Sequence, residues 1–328
     1  MNPSPFDKGS SFEKFNYALR PAKNMQRKML CEALARLSRI ARLASYRYVG
    51  FGAIGFHDFC IFHQRLGIVD MTSIEGNPDE TTQHRIQKNK PYSCIKMKWG
   101  MSYVVLPTLP WSRRTILWLD YEHALDAPKL GDVSLACTRL RSGSAIIVTV
   151  PADPGEVDTK GNTAERRLQE LRSNVGKKNL PPDVKGSHLA KWGLATVLRR
   201  IIANRIERTL SERNAVLEES QKLRFDQLFH FHYADGKQMM SMGGLILDTR
   251  DREKLSPKHF IDLSFYRPDE NAYLIENPLL TWREIKLLDE RLPRSAPAVR
   301  HPKWIPEIER QRYGRVYRYF PSYSEVEN

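Results

Sequence analysis

Apolar positions along the first half of the chain repeat with two alternating periods. From residue 21 to 44, Met25, Met29, Leu30, Leu34, Leu37, Ile40 and Leu43 recur at three- and four-residue steps after Pro21, which predicts a helix. The period then shortens. Tyr46 to Phe51 predicts a strand, Phe56 to Leu66 a helix, Ile68 to Ile74 a second strand and Asp79 to Lys88 a polar helix. Cys94 to Trp99 with Tyr103 to Leu106 gives a third strand region, and Thr115 to Leu119 reads as a strand buried on both faces. Leu130 to Leu140 predicts a helix and Ala145 to Val150 a fifth strand. Strands alternating with helices in this way predict a parallel, doubly wound α/β sheet.

The second half differs. Thr163 to Glu219 is mostly helical and basic, broken at Leu180-Pro181-Pro182. Phe225 to Tyr233 and Gln238 to Leu247 flank the turn Ala234-Asp235-Gly236-Lys237, and Asp-Gly between two β-type runs signals a hairpin. Further on come Pro278, Pro293, Pro297, Pro302, Pro306, Pro321 and one helix, capped by Thr281 with Glu284 three residues later. The expected organisation is an N-terminal tail (1–12) and helical extension over 1–45 and an α/β domain over 46–250. A basic helical insertion at about 160–222 and a C-terminal extension over 251–328 complete it.

The chain has 328 residues, 41% hydrophobic and 27% charged, enough to bury a core. Cys31, Cys60, Cys94 and Cys137 form no CxxC pair, which argues against a thiolate zinc knuckle and a disulfide scaffold and fits a reducing compartment. No run approaches ~18 apolar residues, and Met1 to Lys14 carries no signal-peptide core, so a cytoplasmic protein without membrane contact is expected. The formal net charge is +14, and two segments hold it: residues 13–48 carry nine basic and two acidic side chains, and 160–224 carry fifteen and seven. Such an excess favours an acidic partner, with nucleic acid one candidate through the basic helices.

The strongest local signal is Gly50-Phe51-Gly52-Ala53-Ile54-Gly55, directly after one predicted strand and before one predicted helix. Glycines there permit a tight turn and close backbone approach by a ligand, whose polar groups meet free amides at the helix start. Glu75 ends the second strand, where a carboxylate accepts hydrogen bonds from ribose hydroxyls. Together they fit an adenosine-containing cofactor, either a dinucleotide or S-adenosylmethionine. Three features favour the second: Asp120-Tyr121-Glu122 after the fourth strand, where a methyltransferase faces methyl donor or acceptor; Gly100-Met101-Ser102 at the adenine side; and the late hairpin, which supplies an antiparallel strand.

These stretches, Tyr46–Glu75–Asp120–Val150, resemble a class I S-adenosylmethionine-dependent methyltransferase. The phrases RPAKNMQRKM, YRYVGFGAIGFHDF, MTSIEGN and YRYFPSY more narrowly resemble a bacterial O-methyltransferase family. The resemblance implies a Rossmann-like, mostly parallel seven-stranded sheet with an antiparallel hairpin strand, and methyl transfer to a hydroxyl or similar nucleophile of an unidentified acceptor. It implies that Gly50, Phe51, Gly52 and Gly55 line the methionine part of the cofactor, Glu75 holds ribose and Gly100, Met101 and Ser102 border adenine. Asp120 and Tyr121 then lie near the sulfonium. Tyr48 stands where the family usually has an acid, and the loop is GxGxxG where GxGxG is commoner.

Asp120, Tyr121 and Glu122 are the expected catalytic residues: Asp120, Glu122 and His123 are placed to accept a proton, and Tyr121 to orient the acceptor or cover the cofactor. A helix cap explains Asp120 equally well. His230 and His232 share a strand face but lack a third ligand with zinc spacing, so core or surface histidines are favoured and no metal site is expected. Asp58 suits the helix dipole, and Arg20 and Lys23 either close over the cofactor carboxylate or form a solvated face. Arg199, Arg200, Arg205, Arg208 and Arg213 lie off the apolar stripe of 191–213, and either receive an acidic substrate or RNA or form a solvated face. The aromatic and basic C-terminal run (Tyr313, Tyr317, Tyr319, Phe320, Tyr323 with Arg312, Arg315, Arg318) is expected to dock on the domain rather than bind single strands. Two rivals remain: a basic binding protein that keeps the fold without chemistry, and a nicotinamide-dependent dehydrogenase.

Overall fold

Eight strands among the described residues form one sheet. The five from the first half are β1 (Arg47–Gly50), β2 (Asp70–Glu75), β3 (Ile95–Trp99), β4 (Thr115–Asp120) and β5 (Ser144–Pro151). The hairpin supplies β6 (Arg224–Asp235) and β7 (Lys237–Leu247), and the C-terminal extension adds β8 (Tyr273–Ile275). Their order is β3-β2-β1-β4-β5-β7-β6-β8, with β7 antiparallel to both neighbours and every other pairing parallel. The structure, a computed structural model, describes residues 20–76, 79–155, 163–293 and 302–321. The expected tail (1–12), the start of the insertion at 160–162, Pro297 and Tyr323 lie outside them.

Alternation along the strands explains the layering. Tyr48, Ile116 and Trp118 face one side, where they pack with Phe59, Phe62 and Phe231; Val49, Leu117 and Leu119 face the other with Ile146, Val148 and Met240. Both faces are apolar, as parallel strands covered by helices require. The first face is covered by α1 (Pro21–Ala35), α2 (His57–Leu66) and the C-terminal segment; α3 (Glu80–Lys88) follows β2. The short α4 (Ser102–Val105) follows β3, and α5 (Ala127–Arg139), α6 (Ala164–Val175) and α7 (Gly193–Asn214) lie on the second face. Beyond the hairpin come α8 (Thr249–Lys254), α9 (Trp282–Asp289) and α10 (Glu307–Val316).

Three expectations change. The helix predicted to 44 ends at Ala35 and tightens into 3-10 turns at Arg36–Arg39 and Leu43–Ser45. There Arg36 is drawn into a two-pronged pair with Asp262, at 2.6 and 2.7 Å, so a tertiary contact overrides the apolar period. Tyr103 to Leu106 is no strand, because the chain turns at Gly100 (φ 134°) into α4. The sheet has eight strands where seven were expected, since the extension pairs β8 beside β6. The predicted capping box at Thr281 and Glu284 is present, with the Thr281 hydroxyl accepting from the Glu284 amide.

Candidate active site

The loop 51–56 carries the chain from β1 to α2 across the carboxyl ends of the strands, where ligands bind in open α/β sheets. Its glycines are required for space. A Cβ on Gly52 would stand 2.5 Å from the Phe56 ring and 2.7 Å from Ser73 Oγ. The left-handed positions are instead Ala53 (φ 46°) and Phe56 (φ 47°), conformations that cost a non-glycine residue about 1–3 kcal/mol and persist where the surroundings enforce them. Here the enforcing contacts come from β2. The Gly52 amide donates to Ser73 Oγ at 3.0 Å, and the Ala53 amide to Glu75 Oε1 at 2.7 Å. Ser73 Oγ also donates to Glu75 Oε1, at 3.2 Å. Burial pushes the Glu75 carboxyl up to about 7, and these donors partly oppose the shift.

Asp120, the last residue of β4, meets Lys23 of α1. Lys23 Nζ lies 2.8 Å from Asp120 Oδ1 and 2.7 Å from Oδ2, donates to the Tyr233 hydroxyl at 3.1 Å, and sits 4.7 Å from the centre of the Trp118 ring. The lysine side chain is 6% exposed and the aspartate 29%, so the carboxylate is the accessible partner. Burial lowers the Lys23 pKa and the Asp120 charge opposes it. The start of α1 is fixed from the hairpin tip: Asp235 accepts from the Ala22 amide at 3.1 Å and the Lys23 amide at 2.9 Å, satisfying two donors that a helix start leaves open. Asp235→Ala should therefore lower stability by about 1 kcal/mol, measured by urea unfolding, with Asp235→Asn losing less.

Tyr48, at the position where an acid is usual, donates its hydroxyl to the Asp58 carboxylate in the first turn of α2. A Cβ on Gly50 would lie 2.5 Å from that hydroxyl, so the Tyr48–Asp58 pair sits directly beneath the loop. Asp58 is buried, and desolvation raises its carboxyl against the opposing field of Arg27. Arg27 itself is 7% exposed, and its Nε has no hydrogen-bond partner among the described residues. An acid is thus present near the expected place, supplied by the helix rather than the strand. The dipole reading of Asp58 misses this pairing, and in the sequence Arg27 is only one of the nine basic residues over 13–48. Its one signal there is the four-residue step from Lys23, which places both on one helix face.

On the side expected to border adenine, Gly100, Met101 and Ser102 are brought to Glu75. The Gly100 amide donates to the Glu75 carbonyl at 2.9 Å, and Met101 Sδ lies across Gly76, 2.8 Å from where a Cβ would stand. Met101 is exposed, open to a ligand. The Ser102 hydroxyl turns inward and donates to Asp132 Oδ2 at 2.5 Å. Tyr121 turns to the same acid. Its hydroxyl donates to the same Asp132 oxygen at 2.7 Å, the residue is buried, and its ring packs 5.5 Å from Phe51. It supports the loop and presents no free hydroxyl to an acceptor. Glu122 and His123 are exposed in the turn beyond the strand. Gly50, Phe51, Gly52, Gly55, Glu75 and Asp120 lie together at the strand ends.

Other sequence candidates have structural places. His230 and His232 are buried, with their Nε2 atoms 3.0 Å apart, His230 Nδ1 3.0 Å from the Glu270 carbonyl and His232 stacked on Trp192. Arg199 donates to Gln227, Arg200 pairs with Asp183, Arg205 donates to Asn179, Arg208 pairs with Glu212, and Arg213 donates to the Cys137 and Leu140 carbonyls. Each of the five therefore serves a contact within the chain. The C-terminal aromatics dock, with Tyr319 and Arg318 both reaching Glu32 of α1. Among the described residues no group of three or more His, Cys, Asp and Glu could hold a metal, and no helix is long and apolar enough to cross a membrane.

The sheet order, with one reversed strand between β5 and β6, and a glycine loop at the carboxyl ends define a class I methyltransferase-type fold. A dinucleotide-binding sheet would continue in parallel order, so the dehydrogenase rival loses its architecture. Residues 15–328 match the family described as "Putative O-methyltransferase", and the chain belongs to that family. No curated protein matches. Similar solved structures include the O-methyltransferase TomG from Streptomyces achromogenes, involved in tomaymycin synthesis, in complex with SAM: 14% identical, covering 70% of this chain and 90% of that one, TM-score 0.37. Another is Trm1 from Pyrococcus horikoshii with S-adenosyl-L-methionine: 12% identical, covering 71% and 56%, TM-score 0.41. A third, from Klebsiella pneumoniae, is titled "a putative O-methyltransferase": 13% identical, covering 68% and 87%, TM-score 0.36.

Proposed function

We propose that the protein transfers a methyl group from S-adenosylmethionine to a hydroxyl oxygen of an acidic or neutral acceptor. The observation that carries this is the Glu75 carboxylate, held on the Ala53 amide at the end of β2 with the Lys23–Asp120 pair on β4 as its counterpart. The residues fit the cofactor. Gly50, Gly52 and Gly55 keep those three positions free of side chains, Glu75 can accept from ribose hydroxyls, and Met101 can cover adenine. Arg27, whose buried Nε has no partner among the described residues, offers a guanidinium to the carboxylate of the methionine part, and Asp58 offers a carboxylate to its ammonium. When bound, the cofactor supplies an electrophilic methyl on a sulfonium.

What remains for the chain is positioning and a proton. Asp120 accepts the hydrogen bond of the acceptor hydroxyl and takes its proton as the oxygen attacks. Lys23 holds the Asp120 carboxylate in place and stabilises the negative charge that develops on the oxygen. Tyr121 fixes Phe51 from below through Asp132, keeping the loop closed against the strand ends. We assign Glu122 no step, and we take the basic helices as structural, with cytoplasmic location the working setting.

The test is ligand binding followed by transfer. S-adenosylhomocysteine should raise the melting temperature and NAD should not, because only a ligand of the native state stabilises it. Stabilisation by NAD alone would reject the proposal. Glu75 adds a sign. A carboxyl near 7 is mostly protonated at pH 6 and mostly ionised at pH 8, and only the ionised form accepts two ribose hydrogen bonds. Affinity for S-adenosylhomocysteine should therefore rise with pH across this interval, by up to about tenfold. Calorimetry on Glu75→Gln should give weaker, pH-flat binding.

A further inference from the structure

At the far side of the C-terminal extension, a cavity of about 660 Å³ opens between the segment leading to β8 and the end of α10. Its size is that of a small-ligand site. Arg267, Arg315 and Arg318 line it, together with Asp262, Tyr273 and Tyr319. None of the residues assigned to methyl transfer reaches it, so its occupancy is independent of that proposal.

The charges there are unevenly matched. Asp262, the one carboxylate of the lining, is already held by both prongs of Arg36, at 2.6 and 2.7 Å. Arg267 is half-buried with its guanidinium 5.2 Å from the Tyr273 ring centre, and pairs with no carboxylate among the described residues. It donates instead to the Ser264 and Tyr266 carbonyls, at 3.1 and 2.7 Å. Arg315 reaches Glu276 only at 3.7 Å, and Arg318 holds Glu32 at 3.0 Å. Three guanidinium groups thus line a hollow whose single carboxylate is already paired, which favours an entering anion.

We propose that this cavity binds a small ligand bearing a phosphate dianion. A phosphate group presents three oxygens to three guanidinium groups, whereas a carboxylate presents two and a single charge. Arg267 supplies the fixed donor, since its place on Tyr273 and two carbonyls pre-orients it. Arg315 and Arg318 swing in from their long or solvent-exposed pairs at the rim.

Titration calorimetry of the full chain with inorganic phosphate at low salt tests this, with acetate as the singly charged control. The expected result is one phosphate per chain, with acetate weaker by at least about tenfold. Arg267→Gln and Arg315→Gln should each weaken phosphate by at least about tenfold. Arg315 has an exposed side chain, so its variant keeps the test intact if Arg267→Gln does not fold. No saturable phosphate binding, equal binding of acetate, or unchanged affinity in a folded variant would overturn the proposal.

Discussion

Asp120→Ala should reduce methyl transfer by about two to four orders of magnitude, the range lost with a positioned proton acceptor. The same change should cost about 3 kcal/mol of stability, because it leaves the Lys23 ammonium buried without its counter-charge. Lys23→Met provides the contrast. Methionine fills similar space over Trp118, and the orphaned Asp120 is the more exposed partner, so this change should cost only about 1 kcal/mol. Its transfer rate should still fall, because the carboxylate loses its anchor. Affinity for S-adenosylhomocysteine should change little in either variant, since Glu75 and the loop remain. Single-turnover rates with labelled cofactor, urea unfolding and calorimetry separate the three effects. An Asp120→Ala enzyme that folds and transfers at the parent rate would remove Asp120 from the mechanism.

The second large effect concerns pH and the histidine pair. Burial lowers His230 to about 3, with the neighbouring His232 adding to the shift, and burial lowers His232 to about 4. An unfolded histidine titrates near 6.5, so below that pH the unfolded chain binds protons that the folded one refuses. The stability that the neutral pair contributes is complete above pH 6.5 and is lost as pH falls toward 4 and then 3. By pH 4 the loss should be on the order of 3 kcal/mol for each imidazole, less if the two share one proton. Melting temperatures from pH 7 to pH 4 should show this decline. The double variant His230→Leu/His232→Phe should begin less stable, having left the Glu270 carbonyl unpaired, but should lose less across the same range. A parallel decline in the variant would show that other groups set the acid limit.

Sequence and structure agree most closely where short-range rules apply. The short continuous apolar runs of Thr115–Asp120 and Ser144–Pro151, the Asp-Gly turn and the Thr281 capping box depend on residues within a few positions of one another. The glycine loop and Glu75 were legible for the same reason: both lie at strand ends that the alternating pattern locates. Less was readable of the side chains that act at a distance. Tyr121 and Ser102 both turn to Asp132 of α5, and nothing near them in sequence announces that carboxylate. Arg27 and Lys23 enter the site on a helix that Asp235, more than two hundred residues later, caps and whose apolar face packs on the sheet.

The amino-acid pattern by itself determined a doubly wound sheet, a glycine-rich turn after the first strand and an acid at the end of the second. Alternating burial and steric freedom are properties of neighbouring residues. Only the folded chain decided which charges meet. Burial makes an unpaired charge costly, so the identity of each partner depends on which distant elements pack together. Lys23 with Asp120, Tyr48 with Asp58 and the five insertion arginines with their own chain are results of that packing.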